Sequence, residues 1–281
     1  MDLPGRTLLH ARHGGARVAV ALEGGHVVSW QPASGGEALY LSPLAAEHPD
    51  RPIRGGVPVI FPQFADLGPL SKHGFARSAL WQQADPAGDD ALALELADTE
   101  ATRAVWPHPF RLTLGVALGG DRLRLALRVH NPGAAPFPFT AALHTYLRVA
   151  DVERVAVGAL GGARYRDKTS GDRHAVQRGP LRVEGETDLV YEQAPDLLDV
   201  RDEAGGREIG VEKAGFADVV VWNPWASGAA GMIDLPHDGY RQMLCVEAAQ
   251  VSRPAHVAPG ATWEGAQTLT VRPLPASVET G

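Results

Sequence analysis

The chain has 281 residues, of which 44% are hydrophobic and 21% charged, with a formal net charge of −7. That balance excludes a disordered chain, and the acidic excess argues against nucleic acid or an anionic membrane as a partner. Cys245 is the one cysteine, so no intramolecular disulfide forms. No apolar run approaches the roughly 18 residues of a membrane-spanning helix, and Met1-Asp2-Leu3-Pro4-Gly5 lacks the basic start and apolar stretch of a secretory leader. The expectation is a cytoplasmic monomer with one large all-β domain over residues 1–281.

Taken in chain order, period-two patterns dominate. Val18 and Val20 precede Gly24-Gly25, and Val27-Val28 follow, which predicts a hairpin. Ala45 to His48 predicts a turn of helix. Leu92, Leu94 and Leu96 alternate as a strand, and Thr99 to Val105 predicts a second short helix. Leu112, Leu114, Val116 and Leu118 form the next strand. Gly119-Gly120-Asp121 supplies a turn into Leu123, Leu125, Leu127 and Val129, which alternate with Arg122, Arg124, Ala126 and Arg128. Asn131-Pro132-Gly133 stops that strand. The 32 glycines and 22 prolines fall at short intervals, as turns between many strands do. The pattern fits a sandwich or a barrel equally.

Three stretches place polar groups among apolar ones. The first runs Arg54-Gly55-Gly56-Val57-Pro58-Val59-Ile60-Phe61-Pro62 and resumes at Lys72-His73-Gly74-Phe75-Ala76-Arg77. Arginine offers a planar fork matched to phosphate oxygens and lysine a point charge; the same spacing reads equally as a solvated basic loop. The second is Ala142-Leu143-His144-Thr145-Tyr146, where a strand would put His144 and Tyr146 on one face. A histidine is suited to proton transfer near neutral pH, yet His144 is one of eleven and on pattern alone reads first as a packing residue. The third is Met243-Leu244-Cys245-Val246-Glu247. A glutamate in such a run is costly to bury without partners or a task, and burial would make it a better base; the alternative is an exposed strand end. Cys245 reads as a small buried hydrophobe. Trp222 and Trp225 offer either a sugar platform or packing. No metal-ligand spacing, P-loop or dinucleotide fingerprint appears, so no metal and no cofactor is expected.

In order, these stretches resemble the aldose 1-epimerase superfamily, and within it the glucose-6-phosphate 1-epimerases, or hexose-6-phosphate mutarotases. The resemblance also takes in Gly25-His26-Val27-Val28-Ser29-Trp30, Leu39-Tyr40-Leu41-Ser42, Trp106-Pro107-His108-Pro109-Phe110, Thr187-Asp188-Leu189-Val190-Tyr191, Val221-Trp222-Asn223-Pro224-Trp225, and Pro259-Gly260 before Trp263. It implies a large antiparallel β-supersandwich of the galactose-mutarotase type with few short helices. It implies that a small sugar phosphate is the partner, with His144 as general acid and Glu247 as general base. By the same matching, Arg54, Lys72, His73, Arg77 and Asp188 are substrate-binding positions. Lys72 stands where relatives often carry glutamine, and Gln63 and Ala65 replace a tryptophan and a glycine common after the Phe-Pro pair. The resemblance further implies that the imidazolium of His144 and the carboxylate of Glu247 sustain each other's charge. Rival readings are an epimerase acting on unphosphorylated aldoses, a non-catalytic carbohydrate-binding sandwich using the tryptophans, and a glycosidase or lyase, with Glu247 and Asp188 as the two carboxylates a glycosidase needs.

Overall fold

The structure is a computed structural model that describes residues 3–48, 50–85 and 90–274. The alternation of the sequence sets the strand faces. Along Arg122–His130, the side chains of Leu123, Leu125, Leu127 and Val129 are buried while Arg122, Arg124 and Arg128 are exposed. The neighbouring strand Arg111–Leu118 places Leu112 opposite Val129 and Leu114 opposite Leu127. Each such buried leucine or valine contributes roughly 1.5–3 kcal/mol by leaving water, and that gain fixes which face turns inward. Gly119 and Arg122 close the turn with reciprocal backbone hydrogen bonds, and Gly120 takes the left-handed φ of 60° that the turn requires.

Among the described residues, two large sheets and one small sheet account for the strands. The eight-stranded sheet runs, in spatial order, Arg173–Val176, Arg164–Asp167, Thr187–Tyr191, Asp218–Asn223, Met243–Val257, Phe137–Leu143 and Val59–Ile60, with Tyr146–Arg148 also paired to Met243–Val257. The nine-stranded sheet carries Leu92, Leu94 and Leu96 on Ala91–Ala97 and includes Arg111–Leu118, Arg122–His130 and Thr262–Pro273. The predicted hairpin at Gly24-Gly25 joins Ala16–Ala21 to His26–Gln31 within a three-stranded sheet. All pairings between these strands are antiparallel. The architecture is therefore all-β and antiparallel, as alternation implied, and the sandwich of the resemblance rather than the barrel that alternation left open.

Helix is scarce. The two predicted turns of helix are a 3-10 turn at Pro43–Glu47 and an α-helix at Glu100–Val105 capped by Thr99; among the described residues a second short α-helix spans Trp225–Ala229, and four more 3-10 turns occur. No helix of the described residues is long and apolar enough to cross a membrane.

The inner faces of the large sheets share one apolar core, to which Leu125, Leu127 and Leu269 contribute from one side and Leu143, Val221, Val246 and Ala248 from the other. Alternation then turns the residues between them outward. Ala142, Val220 and Ala249 join a second, smaller cluster with Ile60 and Phe64. Glu247 lies between Val246 and Ala248, so strand geometry sends it to that same second face.

Candidate active site

Two strands that both pair with Met243–Val257 build the centre of the site. Leu143 sits opposite Ala248, and Tyr146 opposite Cys245. The two residues between, His144 and Thr145, therefore fall opposite Glu247 and Val246. His144 and Glu247 face each other across one antiparallel pair, where side chains are closest, and His144 Nε2 lies 3.3 Å from Glu247 Oε1. The regular ladder is interrupted here. His144 donates its backbone N–H to Pro58 O at 3.0 Å, and Thr145 donates to Leu143 O at 2.9 Å. His144 thus lies just outside the flanking strands, but its ring still stacks on Tyr146 with centroids 4.9 Å apart and planes 15° apart.

Glu247 is only 1% exposed and His144 8%. The exposed strand end that the sequence alone also allowed is not what forms. Glu247 Oε2 and His144 Nδ1 are buried without a hydrogen-bond partner among the described residues, which leaves both free to meet a ligand. Burial holds Glu247 well above the usual carboxylate range, and the charge of Asp188 adds to the rise. Burial pushes His144 down to about 3, with the positive charges of Arg54 and Arg77 adding to the fall. The mutual support of charges implied by the resemblance is outweighed by desolvation, which disfavours both charged forms. Both shifts run toward the uncharged forms, and the two groups titrate as a coupled pair rather than as independent residues.

His73 flanks this pair, its ring centroid 5.6 Å from that of His144. Its Nδ1 accepts the backbone N–H of Ala65 at 3.2 Å, which leaves Nε2 to carry the proton and act as a donor. Burial, then the neighbouring charges of His144 and Arg77, depress its pKa to about 2, so it is a neutral donor. Trp222 packs edge-on against both His144 and Tyr146 at 6.0 Å.

The cationic side is built from the first sequence stretch. Arg54 donates to the Tyr146 hydroxyl at 3.0 Å and to Asp234 Oδ2 at 3.1 Å. Its loop can approach so closely because of glycine. A Cβ on Gly55, at φ 110°, would lie 2.4 Å from Tyr40 O. His26, fully buried, fixes the same loop through a 2.7 Å hydrogen bond to Gly55 O. Arg77 donates to Lys72 O at 2.8 Å. Among the described residues neither Arg77 nor Lys72 is within ion-pair distance of a carboxylate, whereas Arg54 is paired with Asp234. Asp188 lies 3.9 Å from Lys168 Nζ; burial raises its pKa while Lys168 opposes the rise.

All seven residues singled out from the sequence, His144, Glu247, Arg54, Lys72, His73, Arg77 and Asp188, line one cavity of about 280 Å³. Its size is near the small end of ligand pockets, about 300 Å³. Trp222 also lines it, while Trp225 packs on Tyr240 at 5.3 Å instead. Lys168, Asp234 and Arg51 line the cavity too and escaped sequence reasoning. They enter from turns, where no periodicity marks a face. Cys245 is fully buried, and burial pushes its thiol up, as suits a packing residue rather than a nucleophile.

The family model described as aldose 1-epimerase matches residues 7–270. A protein of Cenchrus ciliaris, provisionally named glucose-6-phosphate 1-epimerase, is 38% identical over 267 residues, covering 90% of this chain and 81% of its own. A crystal structure of a provisionally named mutarotase from Salmonella typhimurium superposes with a TM-score of 0.89 at 32% identity, covering 97% of this chain and 92% of its own. A galactose mutarotase-like protein from Clostridium acetobutylicum shares the fold at 15% identity, with a TM-score of 0.76 over 98% of this chain and 97% of its own.

Proposed function

The chain belongs to the aldose 1-epimerase family, and from that premise we propose that it interconverts the α and β anomers of a hexose 6-phosphate, glucose 6-phosphate foremost. The observation that carries this reading is the cross-strand pair at 3.3 Å, set in a sugar-sized cavity whose rim holds cations with no carboxylate partner. Glu247, as carboxylate, removes the proton from the C1 hydroxyl. The C1–O5 bond breaks as the C1 carbonyl forms, and His144, as imidazolium, delivers its proton to O5. The open aldehyde turns about C1–C2, and closure on the other face returns both protons. Atoms, electrons and protons balance within the sugar and two side chains. Each positioned transfer contributes about 10²–10⁴-fold.

The phosphate has a second task in this reading. Arg54 and Arg77 help to keep His144 neutral. A phosphate dianion between them offsets that repulsion and favours the imidazolium form that donates to O5. His73 and Asp188 hold hydroxyls and restrict the pose. A phosphorylated sugar does not cross a bilayer unaided, which supports a cytoplasmic site of action.

The test is to add the protein to pure α-glucose 6-phosphate and follow the anomeric proton signals by NMR. Equilibration faster than in buffer is expected. Glu247→Gln keeps shape and loses the base, so it should lose at least about 100-fold in turnover with an unchanged circular dichroism spectrum. Wild-type turnover in that variant sinks the assignment.

A further inference from the structure

The interruption of the ladder at His144 and Thr145 leaves a bonding problem that a distant residue solves. In an unbroken pair, Thr145 N–H and Val246 C=O would satisfy each other. Here Thr145 donates its N–H to Leu143 O within its own chain segment, while Val246 donates its N–H to Thr145 O at 3.0 Å. The carbonyl of Val246 is therefore left over. It is taken by Gln267, whose Nε2 donates to it at 3.0 Å. The other end of the same amide, Oε1, accepts a short hydrogen bond from the Thr145 hydroxyl. Gln267 and Thr145 are both fully buried.

Gln267 belongs to the strand Thr262–Pro273 in the nine-stranded sheet, where it lies opposite Leu125 and Lys213. One side chain from the second sheet thus clasps the residue after His144 and the residue before Glu247. It does so from the core side, behind the cavity, and it is absent from the cavity wall. We infer that Gln267 and Thr145 are positioning residues, which set the spacing between His144 and Glu247 across the broken ladder. They touch no substrate; they act through the two backbones that carry the acid and the base. The arrangement explains a buried polar cluster in an otherwise apolar core, where each unpaired group would be destabilising.

The inference rests on the acid–base reading of His144 and Glu247, and the variants separate the two. Thr145→Val keeps the shape and removes the hydroxyl; Thr145→Ser keeps the hydroxyl and removes a methyl. Misplacing reacting groups by about 1 Å costs on the order of 100-fold. Thr145→Val is therefore expected to lower kcat for α-glucose 6-phosphate by about 10- to 100-fold with KM within about twofold. Thr145→Ser should stay within about threefold of wild type. A packing role predicts the reverse order, because valine fills the space and serine does not. Gln267→Leu should match Thr145→Val, and the double variant should be no slower than the worse single one, since both cut the same clasp. Should Gln267→Leu fail to fold, the threonine pair decides alone. Wild-type kcat in Thr145→Val, a serine variant as slow as the valine one, or a rise in KM as large as the fall in kcat overturns the inference. Full turnover in Glu247→Gln removes the acid–base reading itself; loss there with full turnover in Thr145→Val removes only the clasp.

Discussion

Two arginines that sequence reasoning treated alike have different surroundings. Arg54 is tied to Asp234 and to the hydroxyl of Tyr146, the ring stacked on His144. Arg77 has only a backbone carbonyl among its hydrogen-bond acceptors within the described residues. A charged hydrogen bond to phosphate contributes about 1.5–3 kcal/mol. Arg77→Ala should therefore lower kcat/KM for glucose 6-phosphate by about 10- to 100-fold while changing that for free glucose by less than about threefold. Arg54→Ala should lower both, because it also releases Tyr146 from its place beside the acid. Anomer-exchange rates by NMR on the two sugars check this, and equal losses for Arg77→Ala on both would place the phosphate elsewhere.

At the scale of elements, the strand Met243–Val257 is the hinge of the design. It carries Glu247, and beyond it the register shifts between Gln250 and Ala255, where Pro254 is accommodated because a bulge needs no donor there. The buried carboxylate of Asp218 secures that bulge by accepting from Val251 N, Ser252 N, the Ser252 hydroxyl and Gln193 N. Asp218→Ala leaves the buried backbone donor of Val251 and the part-buried donors of Ser252 and Gln193 without their acceptor and is expected to cost about 2–3 kcal/mol, read as a lower urea midpoint. A loss below about 1 kcal/mol would mean that the bulge holds itself. This strand also shows where the sequence is readable. The Arg122–His130 strand announced itself because one face meets water and its arginines mark that face. Met243–Val257 begins with seven buried residues, so its faces carry no contrast; the apolar run marked Glu247 as an oddity, and only the likeness to a known family gave it a role. Lys168 and Asp234 reach the cavity from turns, and Asp234 meets Arg54 across 180 positions. Gln267 shares the inward parity of Leu269 and Val271 in its strand, so alternation places it in the core, but nothing local says that its amide reaches across to the other sheet.

For the whole molecule, acid should be the weak point. His26 is fully buried and its pKa is depressed to about 4, chiefly by burial, against about 6.5 in the unfolded chain. Between those values the unfolded state binds more protons, so stability rises with pH through the window and falls on acidification. His26 alone accounts for a loss on the order of 3 kcal/mol from pH 6.5 to 4, and His73 and His144 act in the same direction. His26→Gln can still donate to Gly55 O but cannot titrate. Its melting temperature should depend less on pH over that range than the wild type's, and an identical slope would exclude His26 as a source. The sheet order carries a last consequence. Met243–Val257 lies between Asp218–Asn223 and Phe137–Leu143, so the growing chain leaves a gap at the middle of that sheet until residues 243–257 emerge from the ribosome. For most of synthesis, Phe137–Leu143 presents an unzipped edge of the kind that recruits foreign strands. The sheet becomes continuous only when the central strand arrives and closes that gap.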